Sequence, residues 1–278
     1  MTDYIGGQAV VEGVMMKNKD KIAIAVRKPN GRITVKKEKL KFKDNDIPFI
    51  RGIVNLFIIL YIGIKALSFS SNASLGKDEK LSFKELLFTM IFAFIFAIVL
   101  FKLVPLFFSN LLSNKLGLNY LLFNIIDGII KIGLFVLYVY ILSLSKDVRR
   151  IFQYHGAEHK AVRCHENKLK LNINNVQKFS TIHERCGTAF VFLVLFVSII
   201  VYLFIPKDFS FITKFALRII LLPVVASLSY EVLRLGAKYK FMRFFVYPGM
   251  WIQNITTKEP DNKQVEVAIR SLKAVLQK

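Results

Sequence analysis

The chain reads as a mainly α-helical membrane protein, with four transmembrane helices, one re-entrant or interfacial helix and a small cytoplasmic β-meander at its N-terminus. Three observations predict this. Of 278 residues, 54% are hydrophobic and the mean hydropathy is +0.46, where soluble domains sit at roughly 45–50% apolar. Mostly apolar stretches of 18 or more residues recur at 86–108, 120–144, 188–205 and 210–235, each long enough to cross a hydrocarbon core of about 30 Å. The basic residues also alternate with these stretches. Lys and Arg number 11 in 1–50, three in 70–85, nine in 145–187 and eight in 236–278, whereas 109–119 and 206–213 hold only Lys115 and Lys207. Under the positive-inside rule the rich segments are cytoplasmic, and both termini lie on that side.

Residues 1–48 read as a β-rich unit with strands at 8–16, 21–28 and 32–40. Pro29-Asn30-Gly31 marks the hairpin turn between the last two. Ile22, Ile24 and Val26 alternate with Ala23, Ala25 and Arg27, giving one apolar face. Gly6, Gly7 and Gly13 permit either a close backbone approach to some group or merely a turn. The polar, lysine-rich start does not read as a cleavable signal. Segment 49–69 is apolar but carries Arg51, Asn55 and Lys65. A full crossing there would turn the basic loop 145–187 outward, so a re-entrant or interfacial helix is expected. A fifth span is the alternative.

The hairpin 86–144 and its partner 188–235 place Lys102, Asp127, Lys131 and Arg218 within apolar spans. Such side chains must face one another or a wet cavity. An ionic clasp that fixes helix packing is the plainer account, because no graded series of acids accompanies them. An anion or proton path, or a headgroup pocket, is the other. The loop 145–187 begins with a helix over 146–167 continuing from the second span, and Asn172, Asn174 and Asn175 mark a turn region. Glu231, at the end of the last span, either pairs with Arg234 or reaches the loop. In the tail 236–278, Val265, Ile269, Leu272 and Leu276 recur at helical spacing behind an N-cap at Asp261 or Asn262.

Chemistry concentrates in the loop. All four histidines and both cysteines fall between positions 155 and 186. His155 and His159 share a helix face, and with Glu158 they form His-x-x-Glu-His, the order of inverted zinc-protease motifs in which the glutamate is a general base. His183 and Cys186 supply a second pair, and a thiolate beside imidazole suits zinc. The expected ligand set is therefore His155, His159, His183 and Cys186, holding zinc or another divalent metal. Glu158 and Glu166 would serve as base or support. Glu166 lies about 10.5 Å along a continuous helix from His159, out of reach as a ligand unless the helix breaks. Arg185 would hold an anion or lower the thiol pKa. Cys164 and His165 point off the histidine stripe, toward packing and solvent. Two cysteines make no disulfide framework. The site is either catalytic, with an open position, or a closed structural one.

The net charge of +21 follows membrane topology and does not require sequence-specific nucleic acid. It implies the lipid bilayer and anionic lipid headgroups as partners, and on a scaffold reading a cytoplasmic protein or a membrane-docked ribosome.

Gly6–Met16, Ile50-Arg51-Gly52, His155–Lys160, Arg185-Cys186-Gly187-Thr188, Ser229-Tyr230-Glu231 and Thr256–Pro260 together resemble the YqhQ-like family of bacterial membrane proteins. The resemblance runs from residue 6 to about residue 270. Where the family usually has proline between the histidine and arginine, this chain has Glu184, which loses a rigid turn but keeps both neighbouring ligand candidates. The resemblance implies a bacterial inner-membrane protein labelled as a metal-dependent enzyme, with no established reaction.

Overall fold

A computed structural model describes residues 5–41, 45–74, 83–206 and 208–277. Lys43, Lys77, Lys80, Lys207 and Lys278, which entered the charge count, lie outside them. Strands β1 (Ile5–Val10), β2 (Gly13–Asn18), β3 (Lys21–Arg27) and β4 (Ile33–Lys39) precede helices α1 (Ile50–Ser74), α2 (Phe83–Ile98), α3 (Val104–Leu116), α4 (Tyr120–Ser143) and α5 (Lys146–Glu166). A short α6 (Ile173–Gln177) follows, then α7 (Gly187–Tyr202), α8 (Phe211–Ile220), α9 (Leu222–Lys238), α10 (Arg243–Thr256) and α11 (Asn262–Leu276).

The strands form an antiparallel meander in sequence order. It has four strands because the expected strand 8–16 folds back at Val11-Glu12. Glu12 takes a left-handed φ of 52°, held by its ion pair with Arg150 and a 3.1 Å hydrogen bond from the Tyr154 hydroxyl. That turn depends on partners far away in the chain. The β3–β4 turn is local and as expected, with Gly31 at φ 79° and Asn30 Oδ1 accepting from Arg32 N at 3.1 Å.

Both faces of the sheet are covered, not one. Met15, Ile22, Ile24 and Val26 pack against Ile58, Ile62 and Ala66 of α1. Val14, Met16, Ala23 and Ala25 pack against Tyr154, Ala157 and Ala161 of α5 and Val265, Ala268 and Leu272 of α11. The alanines of β3 are small enough for α11 to lie close, where Ser271 Oγ donates to Ala23 O at 2.9 Å. Helix α11 starts at Asp261, whose side chain completes a capping box with Gln264.

Among the described residues, three helical stretches are long and apolar enough to cross a membrane: Ile50–Ser74, Leu87–Leu116 and Tyr120–Ser143. The bent pair α8–α9 would make a fourth. The expected span 188–205 is shorter. Helix α7 has 16 residues, about 24 Å at 1.5 Å per residue, and it ends shortly before Pro206, a residue that disfavours helix in its predecessor. The outward surface fits a lipid environment, with Phe88 73%, Phe92 64% and Ile212 77% exposed.

Prolines shape these helices. A π-turn, Val99–Leu103, joins α2 to α3, with Val104 N–H donating to Val99 O. Pro105 follows directly, and its ring would clash with the carbonyl four residues back in a regular helix. Pro223 sits just past the 47° bend between α8 and α9. The helix carrying His155 does not continue from α4. Ser145 is extended (ψ 133°) and separates the two.

Candidate metal centre

Helix α5 places Glu158 and His159 in the interior and leaves His155 partly exposed. Its approach to the rest of the site depends on Gly156. A Cβ there would stand 2.2 Å from the Lys258 carbonyl oxygen, so only glycine lets the segment after α10 lie against α5. Lys258 N donates to Phe152 O at 2.9 Å, and the Thr256 carbonyl accepts from His155 Nδ1 at 2.9 Å. In an ordinary helix interior Gly→Ala gains up to about 1 kcal/mol. Here Gly156→Ala is expected instead to destabilise by about 1–3 kcal/mol through overpacking, read as a lower unfolding midpoint in detergent.

The second histidine is aimed in the same way. His159 Nδ1 hydrogen-bonds the Thr181 carbonyl. With both Nδ1 atoms tied to backbone carbonyls, each Nε2 is left for the centre, the arrangement that fixes metal-binding imidazoles. Cys186 arrives from the other side as the N-cap of α7, accepting from Thr188 N at 3.4 Å. Its sulfur is 3.2 Å from His155 Nε2. The ligand atoms of His155, His159 and Cys186 all lie within 4.8 Å of one another.

The electrostatics agree with the geometry. Burial favours the neutral thiol, but His155 and His159 outweigh it and hold Cys186 well below the usual thiol range. Burial likewise opposes a charged His155, yet the Cys186 sulfur raises that imidazole to about 9. Both shifts run in the direction that favours an imidazolium–thiolate pair. A soft thiolate with two imidazoles fits zinc. Arg185, expected to tune the thiol, forms an ion pair with Glu166 instead.

The remaining expected residues fall around this triad. His183 neighbours His159, with ring centroids 5.6 Å apart, but its Nε2 faces Glu166 Oε2 at 3.3 Å and its Nδ1 accepts from Arg185 N at 3.3 Å. It is outside the triad. The cause is Gln253, fully buried, which accepts from His183 N at 2.8 Å and donates to His183 O at 2.9 Å. Glu166 stays out of reach on a continuous α5, as its distance along the helix predicts. Glu158 is beside the triad, its Oε2 3.4 Å from His159 Nε2. Gly7 of β1 packs directly on it, since a Cβ on Gly7 would be 2.8 Å from Glu158 Cγ. Cys164 belongs to the core beneath α11.

Sequence reasoning missed several supports. Gln253 left no signal beyond being a polar residue in an amphipathic helix. Glu231 pairs with Arg51, Nε to Oε1 2.7 Å, and accepts from Phe49 N at 3.1 Å, not with Arg234. Asn55 Nδ2 donates to the Tyr230 hydroxyl at 3.2 Å. These contacts lock the start of α1 to α9. Between them and the triad lies a cavity of about 280 Å³. His155, Glu158, His159 and Cys186 line it together with Gln8, His183 and Arg185, and Leu56, Ile59, Phe190 and Leu233 are among its apolar walls.

The family model described as "Protein of unknown function (DUF1385)" matches residues 47–278. "Uncharacterized protein YqhQ" of Bacillus subtilis (strain 168) is 37% identical over 295 residues, covering 98% of this chain and 92% of the relative. No solved structure matches.

Proposed function

We propose, for a chain that belongs to the DUF1385 family of proteins of unknown function, a metal-dependent hydrolase that cleaves a peptide or lipid ester at the cytoplasmic surface of a bacterial inner membrane. One observation carries this reading. Three donor atoms converge at an apolar-walled cavity, with a buried carboxylate beside them. Among the described residues no fourth His, Cys, Asp or Glu joins that group. Three protein ligands and one open position distinguish catalytic zinc sites from closed structural ones.

When bound, zinc or a similar divalent ion supplies carbonyl polarisation and a more acidic water. The chain's own residues do the rest. Glu158 takes a proton from the attacking water and returns it to the leaving amine or alkoxide. Leu56, Ile59, Phe190 and Leu233 bury an acyl chain or apolar side chain and keep bulk water from the carbonyl. Helix α1 suits an interfacial position, which supports supply from the bilayer. Ile58, Ile62 and Ala66 rest on the sheet, while Phe57 (67%) and Leu60 (53%) are exposed on its other side.

Elemental analysis of the purified full chain tests this. About one divalent ion per chain is expected, nearly all of it lost in Cys186→Ala and retained in His183→Ala. Metal-free wild-type protein overturns the reading, and X-ray absorption that counts four protein donors makes the site structural.

A further inference from the structure

A second cluster of charged side chains shares no residue with the metal-centre cavity and lies inside the apolar helix bundle, with three bases to one acid among the described residues. Lys102 of the π-turn, Lys131 of α4 and Arg218 of α8 are 7%, 0% and 1% exposed. Among the described residues one carboxylate, Asp127, faces them, taking an ion pair from Lys131 and a 2.6 Å contact from Arg218 Nη1. Both of these salt bridges therefore end on the same acid. Lys102 has a single hydrogen-bond acceptor among the described residues, the Tyr202 hydroxyl at 2.9 Å, and that hydroxyl is itself turned to donate to Arg218 O at 3.0 Å. All three cations crowd one ring: Lys131 Nζ, Arg218 Cζ and Lys102 Nζ stand 4.6, 5.0 and 5.3 Å from the Tyr202 centroid. One aromatic quadrupole offsets only a small part of the desolvation of three charges.

A second, independent observation points the same way. Arg218 Nε is enclosed and has no partner, although a buried guanidinium donor normally finds one. The backbone is also irregular at this place. The π-turn carries Lys102, and the α8–α9 break lies three residues after Arg218. Irregular helices around buried charge are a common setting for ion sites in bundles.

We propose that this cluster binds one compact monovalent anion of the halide class, held by the Lys102 ammonium and the Arg218 guanidinium beside Tyr202. With all three bases protonated, three cations face one carboxylate and two charges are unbalanced, and an anion removes one of them. A singly charged ion is favoured over phosphate because the cost of dehydration rises steeply with charge.

The test uses the full chain in maltoside micelles, with gluconate exchanged for chloride or bromide at constant ionic strength. Halide is expected to raise the unfolding midpoint saturably, by about 5 °C once its concentration far exceeds Kd. Equilibrium dialysis with radiolabelled chloride should find about one ion per chain. Lys102→Met should lose both the response and the bound chloride, and should unfold at a higher midpoint in gluconate than the wild type. Lys102→Arg, which keeps the charge, should retain the response. Equal wild-type midpoints in gluconate and halide, with no bound chloride, overturn the proposal and leave a closed ionic clasp. Stabilisation by inorganic phosphate or by anionic lipid, without any by halide, overturns the assigned ligand class. The wild-type measurements stand even if a variant fails to fold.

Discussion

Glu158→Gln is expected to lower hydrolytic turnover by about 10²–10⁴-fold, the usual contribution of a positioned general base, while the metal content stays at the wild-type level. The substitution is nearly isosteric, so the packing of Gly7 on the side chain should survive. Only the proton-accepting oxygen is replaced by an amide nitrogen. Glu158 is not one of the three converging donors, and its Oε2 lies beside His159 Nε2 at 3.4 Å. Turnover would be followed by mass spectrometry of products from membrane lipid extracts and from apolar peptides, with metal measured on the same preparation. Loss of metal together with activity would make Glu158 structural. Unchanged turnover would remove it as the base and leave the hydrolase reading without a proton acceptor.

The parts of this site that were legible in sequence share one property: their signal is local. His155 and His159 are four apart on one helix, and Cys186 stands where a polar loop meets an apolar run, which is where a helix N-cap belongs. The Pro29-Asn30-Gly31 turn is equally local. Features set by distant partners were not legible. The turn at Val11-Glu12 depends on Arg150 and Tyr154, more than a hundred residues away. Glu231 bypasses Arg234, one turn along its own helix, for Arg51, because α1 docks on α9. His183 has the right chemistry for a ligand, but the Gln253 clamp on its backbone turns its ring toward Glu166. Donor type is written in composition and spacing. Donor direction is decided by which carbonyl or amide the rest of the chain brings alongside.

Asp127→Ala is expected to be the most destabilising single change in the helix bundle, by about 3–5 kcal/mol, the range for removing one partner of a buried ion pair. For a chain of this size that corresponds to a fall of roughly 10 °C in the unfolding midpoint. The carboxylate serves two cations at once, Lys131 and Arg218, and its loss strands both where water cannot reach. The cause is charge and not volume, which makes the prediction separable. Asp127→Asn keeps the shape and should destabilise nearly as much. Adding Lys131→Met to Asp127→Asn should recover part of the loss, because one stranded cation is then gone. Residues this close are expected to couple by about 0.5–3 kcal/mol, so a strictly additive double variant would mean that the charges are already neutralised by something other than each other. A bound anion would also make the Asp127→Asn penalty smaller in chloride than in gluconate, since the counter-charge lost with the carboxylate is partly replaced. That difference ties the stability of the bundle to anion binding at its cationic cluster in a single measurement.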